Sequence, residues 1–234
     1  MEKKIVVVFS GGQDSTTCLM EAINQVGVEN VHPISFEYGQ KHIIEMECAD
    51  AICADLGLVR KVVNLDSFGQ LVTSALTQDG DVATDHAYKE DLPASFVPNR
   101  NATFLTLAHA YAQEVGASEL HTGVCQTDYS GYPDCRMEFV QAIQDALNIG
   151  YQTTIGISTP LMYLTKAETF QMAQDGGYLD TIVQKTHTCY NGDHETLHDW
   201  GYGCGECPAC TLRKEGWLEF IGEATQTKTV QTGE

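Results

Sequence analysis

The stretch Ile5–Thr17, IVVVFSGGQDSTT, decides the architecture. Five apolar residues, Ile5 to Phe9, form a run suited to a strand buried on both faces. Ser10-Gly11-Gly12 turns the chain, and from Ser15 the positions Thr16, Cys18, Leu19, Ala22 and Ile23 recur at helical spacing. Strand, glycine turn and helix therefore follow one another. The glycines let the backbone approach a ligand, and the free N–H groups of the new helix face outward. Such an arrangement binds anions, phosphates above all.

The common phosphate loop, GxxxxGK[ST], carries a lysine that neutralises the β and γ phosphates. This loop has none and holds an acid, Asp14. An acid beside a polyphosphate calls for a cation between them, most simply Mg²⁺. SGGxDS after a hydrophobic strand resembles the pyrophosphatase-type loop, whose enzymes hold the β and γ phosphates of ATP as a leaving group while a carboxylate or carbonyl attacks the α-phosphate. Phe9, Ser10, Gly11, Gly12, Gln13, Asp14, Ser15, Thr16 and Thr17 are accordingly the candidate ATP-binding residues. A capped Gly-Gly turn without a ligand explains two glycines, but not the six matching residues Ser10–Ser15 in this context.

A chain of 234 residues suffices for one sizeable α/β domain with a small appendage. Thirteen Lys and Arg stand against 32 Asp and Glu, a formal charge of −19. Phosphate backbones are repelled by such a surface, so no direct nucleic-acid partner is expected. No stretch is long enough to span a bilayer and no signal-peptide core opens the chain, so a cytoplasmic protein without a membrane partner is expected. Nine cysteines in such a chain point to buried thiols or a metal rather than a disulfide framework.

Beyond the opening stretch, strands and helices alternate. Val31–Tyr38 reads as a second strand, with Pro33 expected near its start. Lys41–Leu56 reads as a helix with Ile44, Cys48, Ala51, Ile52 and Leu56 on one face, and Lys61–Leu65 as a third strand. Repeats of this length predict right-handed crossovers and a doubly wound, Rossmann-like parallel sheet. Tyr38 and Gln40, at the carboxyl end of a parallel strand, are candidates for ligand contact; a polar helix cap is the alternative. Ser67–Pro98, rich in acids and poor in periodicity, reads as a surface excursion, either a lid or a solvated loop.

Arg100 and Asn101 stand at the start of a helix that includes Phe104, Leu105, Ala108, Tyr111 and Val115. A cation there opposes the helix dipole unless it serves an anion, so Arg100 is assigned to a phosphate or a carboxylate. A fourth strand, Leu120–Val124, leads into Cys125–Arg136. Asp128, Tyr129, Ser130, Tyr132, Asp134 and Arg136 in that segment offer rings and fixed polar groups to a flat heterocycle; an ordinary turn fits its composition as well. After a helix around Phe139–Leu147, a fifth strand, Ile155–Leu161, precedes a capping box of Thr165 and Glu168. Lys166, a second cation in a first helical turn, is assigned to ATP phosphates or the charge developing at the α-phosphorus, in place of the missing loop lysine. An exposed first-turn lysine is the alternative.

Cys189, Cys204, Cys207 and Cys210 have the spacing of a closed tetrathiolate site, structural zinc by preference, with an iron–sulfur cluster as the rival. Cys18, Cys48 and Cys53 lie on apolar helical faces as core. The chain thus divides into an ATP-binding domain with substrate loops (1–183), a zinc-binding loop and helix (184–221) and a disordered tail (222–234).

FSGGQDSTTCL, FxPNRN, TGVCQTDYSGYPDCR, STPLMYLTKAET and CYNG…CGECPACTLR together resemble the 7-cyano-7-deazaguanine synthases of the queuosine pathway, over nearly the whole chain. The resemblance implies an adenine nucleotide alpha hydrolase-like fold, ATP and Mg as reactants, a structural zinc and a homodimer. It implies conversion of 7-carboxy-7-deazaguanine and free ammonia to the 7-nitrile, by adenylation of the carboxylate, amidation, renewed activation and dehydration. Lys166, Asp14 and Ser15 would act in catalysis, and Arg100 with the Asp128–Arg136 segment, Tyr38 and Gln40 would hold the deazapurine. The loop type points to AMP and pyrophosphate, whereas the family's reaction is also written with ADP and phosphate. A pyrophosphatase-loop tRNA thiolase and a non-catalytic nucleotide sensor are the competing readings.

Overall fold

The computed structural model describes residues 2–39, 44–72, 74, 85–86, 89–127 and 132–231. In chain order its elements are β1 (Ile5–Val8), α1 (Gln13–Val26), β2 (Val31–Glu37), α2 (Ile44–Leu56), β3 (Lys61–Asn64), α3 (Asp66–Leu71), β4 (Asp85–His86), β5 (Lys89–Pro93), α4 (Arg100–Val115), β6 (Glu119–His121), α5 (Met137–Tyr151), β7 (Gly156–Ser158), α6 (Lys166–Asp175), α7 (Leu179–Lys185), β8 (Leu197–His198), β9 (Gly201–Tyr202) and α8 (Pro208–Gln231). Five of the strands form one parallel sheet in the order β3-β2-β1-β6-β7. From β1 the chain first winds one way, through β2 to β3, and later the other way, through β6 to β7. The loops leaving β1 and β6 therefore diverge and open a crevice at their carboxyl ends, where α/β sheets bind ligands.

Alternation along β1 builds both layers of the core. Ile5 and Val7 face α1 and α2, against Cys18, Leu19, Ala22, Ala49, Ile52 and Cys53. Val6 faces α4 and the other side, against Ile34, Phe36, Leu105, Ala108 and Leu120. Each fully buried aliphatic side chain contributes roughly 1.5–3 kcal/mol, so these two clusters hold the crevice rigid. The doubly wound α/β expectation is met, and Cys18, Cys48 and Cys53 are buried as expected.

Several boundaries move for identifiable reasons. Pro33 lies inside β2, opposite Val7. The Phe9 amide donates to the Ile34 carbonyl at 2.8 Å, so Ile34 turns its polar groups toward β1 and Pro33 turns its own toward the β3 side. β3 begins only opposite Ile34, so the missing N–H breaks no ladder bond. On α2 the buried face is Met46, Cys48, Ala49, Ile52 and Cys53, while Ala51 points outward. β6 and β7 have three residues each; Val124, Leu161 and Met162 beyond them are buried without joining a ladder. The last helix continues to Gln231, past the end expected near Ile221. Gly222 interrupts the apolar pattern, yet the Glu, Ala, Gln and Lys after it favour helix, and extending an existing helix is easier than nucleating one.

Helices α6, α7 and α8 join around Phe170, Tyr178, Ile182, Trp217 and Phe220. Among the described residues no helix is long and apolar enough to cross a membrane.

Candidate active site

The loop after β1 is built for an anion. Gly11 takes a left-handed φ of 88°, and a β-carbon there would fall on the Glu45 carbonyl and within 2.8 Å of the Ala49 amide nitrogen. Only glycine fits between β1 and α2. The Ser10 amide donates to Ser15 Oγ at 3.1 Å, and the Gly12 amide to Ser10 Oγ at 3.3 Å. The serines thus hold the loop, leaving the first-turn amides of α1 directed at the crevice. Across it, a β-carbon on Gly123 would stand 3.1 Å from both Asp14 Cβ and the Ser15 nitrogen, so the loop after β6 packs directly on the start of α1.

Lys166 reaches this loop from the sheet's other half. The Thr165–Glu168 capping box fixes the start of α6. Gly216 of α8 packs against the Lys166 backbone, where a β-carbon would stand 3.0 Å from its carbonyl carbon. Lys166 is buried, and its Nζ donates to both carboxylate oxygens of Asp14 at 2.7 Å. The cation absent from the loop is therefore supplied by a residue far along the chain. Gln13 adds a fully buried amide with neither atom bonded to any described residue, an orphan polar group beside a cavity.

The carboxyl ends of β1, β2 and β6 open into one cavity of about 340 Å³. Ser10, Gly12, Asp14, Ser15 and Lys166 form one end; Phe36, Tyr38, Glu45, Arg100, Phe104, Tyr132 and Tyr190 line other parts of it. Burial works against the charge of Arg100, but Tyr38, Tyr132 and Asp134 outweigh it and hold the guanidinium firmly protonated. Burial pushes the Glu45 carboxyl up to about 7, opposed by Arg100. Tyr190 is likewise pushed well above the usual phenol range, by burial and then by Tyr132.

Of the residues singled out in the sequence, Phe9, Ser10, Gly12, Gln13, Asp14, Ser15, Tyr38, Arg100, Asn101, Tyr132 and Lys166 converge on this cavity. Thr16 and Thr17 face the core and bond back to the Gly12 and Gln13 carbonyls. Asp134 does not line the cavity: its carboxylate accepts from the Asn101 amide at 3.4 Å and so caps α4 from outside. Arg136 is exposed at the N-cap of α5, also away from the cavity. Gln40, Asp128, Tyr129 and Ser130 lie outside the described residues. Sequence reasoning missed Glu45 and Tyr190. Glu45 stands three and four residues before Cys48 and Ala49, on their face of α2, but a pattern read from apolar positions passes over an acid there, whereas Tyr190 adjoins Cys189 and could have been suspected from that.

The four C-terminal cysteines come together, with all their sulfurs within 4.8 Å of one another. Cys204 Sγ lies 3.9 Å from Cys210 Sγ, and Cys207 Sγ 4.0 Å from Cys189 Sγ. Thiolates at about 2.3 Å around one tetrahedral ion stand about 3.8 Å apart, so this cluster could bind a single metal ion. Trp200 covers it. Beneath, the buried Arg213 donates to the Trp200 carbonyl (2.8 Å), the Thr188 hydroxyl (3.0 Å) and the Ile182 carbonyl (2.7 Å).

Comparison with known proteins agrees with this geometry. The family described as queuosine biosynthesis protein QueC matches residues 4–221. The 7-cyano-7-deazaguanine synthase of Helicobacter pylori strain P12 is 50% identical over 227 residues, 96% of this chain and 99% of that protein. Its namesake from Wolinella succinogenes is 49% identical over 217 residues, 92% of each. Among solved structures, the U34-tRNA thiolase NcsA of Methanococcus maripaludis, with its 4Fe-4S cluster, superposes with a TM-score of 0.48 at 15% identity, covering 92% of this chain and 64% of that one. An ATP loop, a strand-end cavity and a cysteine quartet thus coincide with half-identical synthases matched from end to end, and the chain belongs to the family of queuosine biosynthesis protein QueC.

Proposed function

We propose that this chain converts 7-carboxy-7-deazaguanine and ammonia to 7-cyano-7-deazaguanine at the expense of ATP. The observation that carries the reading is the joining, in one cavity, of an anion cradle with the Asp14–Lys166 pair and an aromatic wall holding Arg100. ATP phosphates fit the unfilled amides of α1 and the Ser10 and Ser15 hydroxyls. Mg²⁺ is held by few protein ligands when phosphates complete its shell, and Asp14 suffices as one such ligand. Lys166 then stays beside the α-phosphorus, where negative charge accumulates as the substrate carboxylate attacks and pyrophosphate leaves. Ammonia from solution displaces AMP to give the amide. Attack of the amide oxygen on a second ATP makes that oxygen a leaving group, and its departure with the nitrogen protons gives the nitrile. Tyr38, Arg100 and Tyr132 orient the base and its carboxylate.

Zinc is the metal that best suits the cysteine quartet, because a multi-iron cluster with one thiolate per iron would spread the sulfurs further than one ion does. Those sulfurs are committed to one another, which speaks against the thiolase reading. A cytoplasmic homodimer is the expected form.

Incubation with 7-carboxy-7-deazaguanine, ammonium and Mg-ATP, followed by mass spectrometry of the base, tests the proposal. Nitrile is expected from the native chain, and Lys166→Ala is expected to lower its rate by about 10²–10³-fold, the loss typical of a transition-state charge contact. Return of unchanged base from a protein that binds ATP refutes the reading.

A further inference from the structure

The cavity holds a carboxyl with no task in that scheme. Glu45 stands in the first turn of α2, half-buried, and faces the cavity that Tyr38 and Arg100 also line. The close packing of Gly11 beneath its carbonyl pins that turn to the ATP loop, so the side chain has a fixed origin. Among the described residues no hydrogen-bond donor reaches its carboxylate, and no cation comes within ion-pair distance. The other acids nearby are engaged: Asp14 holds Lys166 on both oxygens, and Asp134 caps α4. A half-buried carboxylate without a partner is unfavourable in the empty protein, and a ligand that brings donors relieves it.

We propose that Glu45 reads the N1–H and 2-amino edge of the deazaguanine and so selects a guanine-type base. The inference rests on the reading above and deepens it. An ionised carboxylate offers two acceptors and no donor. The guanine-type edge presents two adjacent donors, which match it in a bidentate pair. An adenine edge presents one donor and one acceptor, so the same carboxylate meets it with a repulsive contact. The positive charge of Arg100 favours the ionised form that this recognition needs.

The test compares kcat/KM for 7-carboxy-7-deazaguanine with that for its 2-desamino analogue. The native enzyme should prefer the amino compound by roughly ten- to a hundredfold, the range of a charge-assisted hydrogen bond. In Glu45→Gln, whose amide offers one acceptor and one mismatched donor, that preference should largely vanish through KM for the base, with KM for ATP unchanged. Glu45→Asp keeps the charge on a shorter arm and should retain part of the preference. A Glu45→Gln enzyme that discriminates like the native one, or that loses affinity for ATP instead of the base, overturns the inference. Absence of nitrile from the native enzyme with either base is a different result and strikes the proposed function itself.

Discussion

Glu45→Gln should make the empty protein more stable above neutrality even as it spoils recognition of the base. Burial pushes the carboxyl from 4.5 up to about 7, with Arg100 opposing. At 1.36 kcal/mol for each pH unit, this span corresponds to about 3 kcal/mol. Because the side chain is only half-buried and opens to the cavity, solvent screening reduces the figure to about 1–2 kcal/mol. The sign follows from proton counts. Below 4.5 both folded and unfolded chains hold the proton, and the residue adds no pH dependence. Between 4.5 and 7 the folded chain keeps a proton that the unfolded chain has lost, so stability falls as pH rises. Above 7 both are ionised and the full penalty stands. Glutamine removes the penalty at every pH. Denaturant unfolding of both proteins at pH 5 and pH 8 should therefore show the advantage of the variant growing by about 1–2 kcal/mol, or about 2–4 °C of Tm for each kcal/mol. Changes in metal binding with pH affect both proteins alike and cancel in the difference. A gap that stays constant with pH, or a variant less stable at pH 8, refutes the argument that this carboxyl is held unpaired.

Two further outcomes follow from the loop and the cysteines. Gly11→Ala places a β-carbon on the Glu45 carbonyl at a left-handed φ, so a loss of roughly 2–5 kcal/mol in thermal unfolding and of ATP binding by calorimetry is expected. Chelation should abolish turnover in step with the melting temperature, and Cys204→Ser should reproduce it; full activity after complete metal removal, checked by elemental analysis, would contradict a metal-held site.

The ATP half of the site was legible because it is local. Strand, glycine turn and helix occupy thirteen consecutive residues, Ile5–Thr17, and each part has its own sequence signal. Lys166 was legible for another reason: a cation at a helix start is a misfit, which its Asp14 partner resolves. Arg100 followed the same logic and does reach the cavity. Arg136, also read as a contact, lies at an exposed N-cap instead, since residue type alone does not say which side of a helix start faces the crevice. Asp134 and Asn101 are sequence-distant partners that bind one another across the α4 start, a pairing no spacing reveals. Glu45 escaped notice although it shares the face of Cys48 and Ala49, because the periodic pattern is read from apolar residues and passes over an acid among them.

The cysteine quartet adjoins the candidate active site. Cys189 itself lines the cavity, together with His187, Thr188 and Tyr190 before and after it and with Ala209 and Leu212 of α8. The His187 amide donates to the Gly11 carbonyl at 3.1 Å, so the segment leading into the first cysteine lies directly on the ATP loop. A relay fixes the same segment from behind: Cys48 Sγ meets His194 Nε2 at 3.6 Å, the two Nδ1 atoms of His194 and His187 stand 3.2 Å apart, and His187 Nε2 faces the Cys189 carbonyl at 2.9 Å. Arg213, without a carboxylate partner among the described residues and pushed down to about 10 by burial, remains charged at neutral pH and spends its donors on Thr188 and on the Ile182 and Trp200 carbonyls. The Gly11 and Cys48 contacts tie the metal loop to the ATP loop and to α2, and the others brace that loop behind them. A closed four-thiolate site gives no open coordination position to a substrate, but it can hold the part of the cavity wall that Tyr190 forms. The quartet therefore bears on the cavity through geometry, and its loss should lower turnover and the melting temperature together.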